Sequence, residues 1–442
     1  MKKNFYKLCG RFTFIFLHMV LLTILLTACG NKQPAGLEEE AADTQTQELQ
    51  DSDPVEAASQ NPVSPLTDYV SEEEMALADN WNSPDDAALS GVMKKALSGE
   101  KVTIACIGGS ITQGTISNGI DDTQVGFKKC YADIFFQWWR DTFPETDFTF
   151  INAGIGATDS YLGVHRVQQD VLDYDPDLVL VEFSVNDGSS SIDKRNYDNL
   201  VRRILLSESR PAVMLLFMGQ TNGASAQDIH SLIGFNYHLP MISYLNVIND
   251  MMANDVYTPK QLSGDITHPS ALGHAITGEI IWKYLSQVYS QMDRFDEPNP
   301  FSQRAVTNEV YLNSQILDRL TLTPSALGTF TESSVFETFP NDWSCEEGDG
   351  GLTFSISFER LGFLYYCTTD GKSGQFDVYI DDEKVTSLDA DFSNGWGNYA
   401  AAREVYVGEE PAEHIVTIRK APDSTGDHFT LLGVLVSNGS DS

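Results

Sequence analysis

The hydrophobic pattern of the chain changes period at Asp296-Glu297-Pro298-Asn299-Pro300. Before that break, from about residue 80 to 292, continuous apolar runs alternate with stretches in which apolar residues recur at three- and four-residue spacing. The runs Val102–Ile107, Phe148–Asn152, Leu178–Phe183 and Ala212–Met218 read as strands with no polar face, and such strands belong to parallel sheets covered on both sides. Helical spacing fills the intervals: Tyr131, Ile134, Phe135 and Trp138, then Tyr161 to Leu172, then Tyr197 to Leu206. A closing helix is marked by Leu272, Ala275, Ile276, Ile280, Tyr284 and Leu285. The alternation predicts an α/β domain, a parallel sheet between helix layers. Ligands of such folds bind beyond the carboxyl ends of the strands, where Ser110, the loop Asn152–Gly156 and Asn186 all fall.

Beyond the break the period is two. Leu352–Phe358, Phe363–Cys367, Phe376–Ile380, Glu404–Val407, His414–Arg419 and Leu431–Val436 read as strands, with Gly- and Asp-rich turns between them. This predicts an all-β sandwich of jelly-roll type over about residues 305–442. Phe363, Tyr365, Tyr366, Phe376 and Tyr379 lie within the strands and are expected in its core. The short Pro298-Asn299-Pro300 connection favours a docked over a freely tethered sandwich.

A length of 442 residues accommodates two such domains plus tails. A formal charge of −35, from 28 basic and 63 acidic residues, with no basic stripe, argues against nucleic-acid binding. The N-terminus has its own character. Lys2, Lys3, Lys7 and Arg11 precede the apolar run Phe12–Leu25, which is short for a spanning helix and reads as an export signal over residues 1–29. Its end, Leu26-Thr27-Ala28-Cys29, resembles the lipobox of bacterial lipoproteins. The resemblance implies a lipid (palmitate or a related acyl chain) on Cys29 and a place at the cell membrane, on its extracytoplasmic face. The other reading is an ordinary signal peptide with a chance cysteine. Between Lys32 and Lys94 no basic residue occurs, while Glu38, Glu39, Glu40, Asp43, Glu48, Asp51, Asp53, Glu56, Asp68, Glu72, Glu73 and Glu74 accumulate. Residues 30–75 are therefore expected to be a disordered acidic linker.

Cys106 reads as a small apolar strand residue and Cys130 as helical; Cys345 and Cys367 are free to pair in an oxidising compartment. No Cys-x-x-Cys and no Cys/His cluster points to a metal.

Chemistry concentrates in a few short patches. Ser110, in Gly108-Gly109-Ser110-Ile111-Thr112, follows the first strand. A serine there is equally a helix cap. His268 lies in Asp265-Ile266-Thr267-His268-Pro269, with Asp265 three residues ahead. A serine hydroxyl becomes a nucleophile when a base takes its proton and a third group orients the base; Ser110, His268 and Asp265 supply those three parts. His274 falls inside the closing helix and reads as a packing or capping residue. Asn186, just past a strand, can offer a carboxamide N–H to an oxyanion or can be a plain turn residue. Gly156 can let its backbone N–H approach the same oxygen or can be a loop glycine.

The four patches in this order resemble the SGNH (GDSL-like) hydrolase family. Gly108–Thr112 matches its first block, Asn152-Ala153-Gly154-Ile155-Gly156 its second, Asn186-Asp187 its third and Asp265–Pro269 its last. The resemblance covers residues 100–290 and departs at Gly109, where the eponymous motif has aspartate. It implies a flavodoxin-like three-layer fold, a Ser110–His268–Asp265 triad, an oxyanion hole from Ser110 N–H, Gly156 N–H and Asn186, and no metal or organic cofactor. The implied activity is hydrolysis of acyl esters through an acyl-enzyme. With an export signal and an added sandwich, the expected substrate is an acylated polysaccharide carrying O-acetyl groups. An O-acyltransferase with the same triad and a catalytically inert glycan-binding lipoprotein are the alternatives. Trp343 and Trp396, in turn-like surroundings, are the two good candidates for stacking on sugar rings.

Overall fold

Five parallel strands carry the first half of the molecule in a computed structural model, which describes residues 68–79, 81, 84–119, 129–296, 301–348 and 350–438. The export signal, Cys29, the acidic linker up to residue 67 and the Pro298-Asn299-Pro300 connection lie outside the described residues. The strands are β1 (Val102–Gly108), β2 (Phe148–Gly154), β3 (Leu178–Glu182), β4 (Ala212–Phe217) and β5 (Met241–Ser243), ordered β2-β1-β3-β4-β5. That order is the flavodoxin-like one, and its switch point falls beside β1. In chain order the helices are α1 (Glu72–Ala78), α2 (Ala87–Leu97), α3 (Ser110–Gln113), α4 (Tyr131–Thr142), α5 (Ser160–Asp170), α6 (Ser191–Leu205), α7 (Gln227–Tyr237), α8 (Tyr244–Ala253), α9 (Pro259–Leu262) and α10 (Ala271–Gln291).

Strand alternation splits the sheet between two cores. Val102, Ile104 and Cys106 of β1 face the core shared with α2, α4, α8 and α10, where Trp138, Trp139 and Ile280 are buried. Ala105 and Ile107 face the opposite core, packed by α5, α6 and α7. The same alternation runs through Leu178–Val181 and Ala212–Phe217.

One correction falls at the end of the acidic linker, expected to run disordered to residue 75. Residues 68–75 are ordered. Ser71 and Glu74 form a capping box at the start of α1, and the Tyr69 and Val70 amides donate to Glu279 on α10. The acidic run Glu72-Glu73-Glu74 occupies a first helical turn, where negative charge is favoured.

The second half is an antiparallel sandwich of β6 (Gln315–Leu317), β7 (Thr331–Ser333), β8 (Asp342–Cys345), β9 (Leu352–Cys367), β10 (Gln375–Ile380), β11 (Glu383–Asp389), β12 (Tyr399–Lys420) and β13 (Phe429–Ser437). Two pairs of expected strands are continuous: 352–367 is one strand and 399–420 another. The polar breaks at Glu359-Arg360 and Gly408-Glu409-Glu410-Pro411 are bulged register shifts in the β9–β12 ladder instead of turns. Across the bulge the buried positions of β9 change phase, from Phe354, Ile356 and Phe358 to Leu361, Phe363 and Tyr365. Phe354, Ile356 and Phe358 from one end of β9 therefore share a core with Phe363, Tyr365, Leu431 and Val434. Phe363, Tyr365 and Phe376 are buried as expected, whereas Tyr366 and Tyr379 are half-buried. Cys345 and Cys367 are free, buried thiols, as are Cys106 and Cys130; Cys130 is the N-cap of α4.

The halves share apolar and polar ties. Tyr311, Leu364, Ala400, Leu432 and Leu435 complete the core that covers α5 and α6. On α6, Asp198 accepts the Thr307 N–H at 2.7 Å, Asn199 accepts the Tyr311 N–H at 2.9 Å, and Arg203 donates to the Ser314 carbonyl at 2.6 Å. With apolar burial worth about 25 cal/mol per Å² and these buried polar groups satisfied by one another, the sandwich is docked on α6.

Candidate active site

All four patches converge at the carboxyl ends of β1, β2 and β3. Gly109 turns the chain out of β1, and Ser110 opens the single turn of α3. As the first helical residue, Ser110 has no acceptor for its N–H within the helix. His268 arrives on the loop before α10. Its backbone carbonyl accepts hydroxyl hydrogen bonds from Ser117 at 2.6 Å and Ser263 at 2.7 Å.

The three expected residues form a hydrogen-bonded chain. Ser110 Oγ lies 2.8 Å from His268 Nε2, and His268 Nδ1 lies 2.7 Å from Asp265 Oδ2. An ionised carboxylate only accepts, so Nδ1 carries the proton and Nε2 is left to accept from Ser110. Asp265 Oδ1 accepts the backbone N–H groups of Thr267 at 3.0 Å and His268 at 2.8 Å. Partial burial raises the Asp265 carboxyl, and the hydrogen bonds from the His268 ring and these amides outweigh it, holding the group below the usual carboxylate range. Ile266 completes this turn at φ +81°, unusual for a β-branched residue; its carbonyl accepts the Thr221 N–H at 3.0 Å.

Gly156 and Asn186 border the same cleft as Ser110 and His268. Asn186 stands in the turn after β3, its N–H bonded to Phe183 O at 3.0 Å. Its Oδ1 is buried against Gly109, where an added Cβ would sit 2.2 Å away. The departure from the family motif at position 109 thus has a steric correlate: the carboxamide fills the space a side chain would need. The neighbouring Asp187 faces away from the cleft. It accepts the Ser160 N–H at 2.8 Å and pairs with buried His230 at 2.9 Å, fastening α5 and α7 to the Asn186 turn. Sequence gave no hint of this second His–Asp pair, because residues 187 and 230 sit on separate elements.

His274 is buried and bridges two backbones: Nδ1 accepts the Tyr131 N–H at 3.2 Å, and Nε2 donates to Thr115 O at 3.1 Å. Burial lowers its pKa to about 4, so it is neutral and structural.

The sandwich supplies one wall of the cleft. Phe336, Thr338, Phe392, Trp396, Asn398 and Tyr399 line it opposite Ser110 and His268, enclosing about 960 Å³. Trp396 is 71% exposed, with ring centroids 5.8 Å from Phe392 and 5.2 Å from Tyr399. The expectation for Trp343 is overturned. It is fully buried in β8 and packs edge-on to Phe354, because Asp342–Cys345 is a strand and not a turn. Phe392 and Tyr399, beside Trp396, were missed. The signal for them was the Gly395-Trp396-Gly397 turn, which marks an exposed aromatic loop.

Comparisons with known proteins bear on the family and the architecture. Residues 106–276 match the GDSL-like Lipase/Acylhydrolase family. A two-domain esterase (CEX) active on acetylated mannans is similar over 83% of this chain and 99% of its own, at 28% identity and a TM-score of 0.75. The same esterase co-crystallised with mannopentaose gives 28% identity, the same coverage and a TM-score of 0.73. No curated protein matches the chain in sequence. Since the family match spans the strands and loops that bear Ser110, Gly156, Asn186 and His268, and the structural likeness extends through the sandwich, the chain carries a GDSL-like lipase/acylhydrolase domain and is a carboxylic ester hydrolase.

Proposed function

We propose that this hydrolase removes acetyl groups from an O-acetylated polysaccharide, with Ser110 as nucleophile. The observation that carries the reading is the Ser110–His268–Asp265 chain opening into a cleft whose far wall is aromatic. His268 Nε2 takes the Ser110 proton as Oγ attacks the ester carbonyl, and Asp265 holds the imidazole in the required tautomer. The developing oxyanion is held by Ser110 N–H, Gly156 N–H and the Asn186 carboxamide, each donor worth roughly 3–4 kcal/mol. His268 returns the proton to the departing sugar oxygen, leaving an acyl-serine. Water, deprotonated by His268, then releases acetate.

The glycan half of the proposal rests on Trp396 and its neighbours. An indole left largely exposed in the cleft that holds Ser110 presents apolar surface to solvent, and aromatic faces suit the apolar faces of sugar rings. The likeness to an esterase active on acetylated mannans supports the same substrate class. Acetate release from a panel of acetylated polysaccharides tests the reading. Release from a polymer with rates above those on a short aryl ester supports it; hydrolysis of aryl esters alone rejects the glycan. Supplying a glycan acceptor and finding acyl transfer in place of release would make the chain an acyltransferase.

We also propose that the enzyme is held at the outer face of the membrane by a lipid on Cys29, which the Leu26-Thr27-Ala28-Cys29 pattern supports. Cys29→Ala should move the protein from membrane to soluble fractions; lipid labelling that persists in the variant rejects this site.

A further inference from the structure

Arg166 is completely buried in α5, although removing a guanidinium from water is costly unless its donors are satisfied. Its one carboxylate partner, Asp170 at 2.9 Å, lies a helical turn away towards solvent. Two further hydrogen bonds go to backbone, while Nε, also buried, has no partner. Nη1 donates to the Ala153 carbonyl at 2.7 Å and Nη2 to the Gly108 carbonyl at 3.0 Å. These carbonyls end adjacent strands. Gly108 stands two residues before Ser110, and Ala153 three before Gly156.

The β1–β2 ladder stops at Gly108 and Gly154, so the sheet no longer holds the loops that carry the two backbone donors. The Ile155 N–H reaches back to the Gly108 carbonyl at 3.1 Å, and that same oxygen is the one Arg166 engages. Past it the chain is glycine-rich, and Ala157 lies at φ +58°, a left-handed conformation that persists only where the surroundings enforce it. For packing alone, an apolar side chain would fill this site without a desolvation cost. A planar fork that bonds two carbonyls at once fixes the spacing of two strand ends, which a point charge does less well.

We propose that Arg166 is a positioning residue for the oxyanion site, setting the separation of the Ser110 and Gly156 N–H groups by clamping the strand ends behind them. The inference rests on the proposed roles of Ser110 and Gly156. It predicts a loss confined to the transition state: Arg166→Met should lower kcat on an aryl acetate about 10²-fold while KM stays within about threefold. The pH profile should not move, because His268 and Asp265 are untouched. Arg166→Lys, which retains one donor to one carbonyl, should recover about tenfold of the loss. An alkylboronic acid, which forms a tetrahedral adduct on a nucleophilic serine, should bind each variant more weakly in proportion to its loss of kcat. Full kcat in folded Arg166→Met, or a loss of kcat with unchanged boronic-acid affinity, overturns the inference. Should neither variant fold, amide exchange in the unaltered protein decides: slow exchange at Ile155, matching the β3 amides, is required, and fast exchange refutes the clamp. Ser110→Ala separates the two readings. If it stays active, the nucleophile assignment fails; if it is dead while Arg166→Met is fully active, only the clamp fails.

Discussion

The Asn186 carboxamide occupies the space that a side chain on Gly109 would need, its Oδ1 2.2 Å from the position of a Cβ there. The nucleophile turn and the candidate oxyanion donor are thus in direct contact, and residue 109 must stay small for Asn186 to hold its place. Gly109→Ala should push Asn186 aside and lower kcat about 10- to 100-fold, with a Ser110–His268 pH profile that does not change. Unaltered kcat in Gly109→Ala would show that Asn186 does not hold the oxyanion.

Trp396 lies in the sandwich yet lines the same cleft as the nucleophile. Trp396→Ala should reduce kcat/KM on acetylated polysaccharide about tenfold, the equivalent of roughly 1.4 kcal/mol of stacking. Activity on an aryl acetate should stay the same. Equal losses on both substrates would reject a sugar-stacking role.

Two opposing titrations shape stability against pH. Burial lowers the pKa of His274 to about 4 from 6.5, so its neutral form is favoured in the folded state. Stability from this group is intact above 6.5 and declines as the pH falls to about 4, by roughly 3 kcal/mol at most. Glu182, fully buried beside Thr112, has the opposite sign: burial raises its pKa to about 7 from 4.5. Its contribution is complete below 4.5 and disappears as the pH rises through 7. Thermal melts from pH 4 to 8 should therefore show Glu182→Gln gaining on the native protein above pH 7 and not below 4.5. A constant offset across the range would contradict the Glu182 titration.

Docking of the sandwich predicts coupled stability. Without residues 305–442, the α5–α6 face loses Leu364, Ala400, Leu432 and Leu435, and Asp198 and Asn199 lose their amide donors. The shortened hydrolase should melt at least several degrees lower, and isolated 305–442 should bind polysaccharide weakly, since its aromatic wall is only half of a cleft. Tight glycan binding by the isolated sandwich, with an unshifted melting temperature for the remainder, would make it an independent module.

Much of this was legible in sequence, for physical reasons that vary by element. The first four strands are continuous apolar runs, and burial on both faces leaves no ambiguity of period. Met241–Ser243 was missed because three residues at the sheet edge carry no run to detect. The breaks in β9 and β12 were read as turns because bulges also expose polar residues and glycine. Ser110, Asp265 and His268 could be found since their chemistry demands specific residue types in short patches. Arg166 and the Asp187–His230 pair could not, since each acts through contacts between elements that no local pattern encodes. Trp343 misled for a related reason: flanking Asn341-Asp342 looks like a turn until Asp342 is seen bonded to Ser333 inside a strand pair.

The account turns on Ser110 as the residue that bonds to substrate. Treating the native protein and Ser110→Ala with a fluorophosphonate, then mapping the label by peptide mass spectrometry, tests this directly. The account predicts one label, on Ser110, formed in step with loss of acetate release, and neither label nor release in Ser110→Ala. A label on another residue, or acetate release that survives in Ser110→Ala, would contradict it.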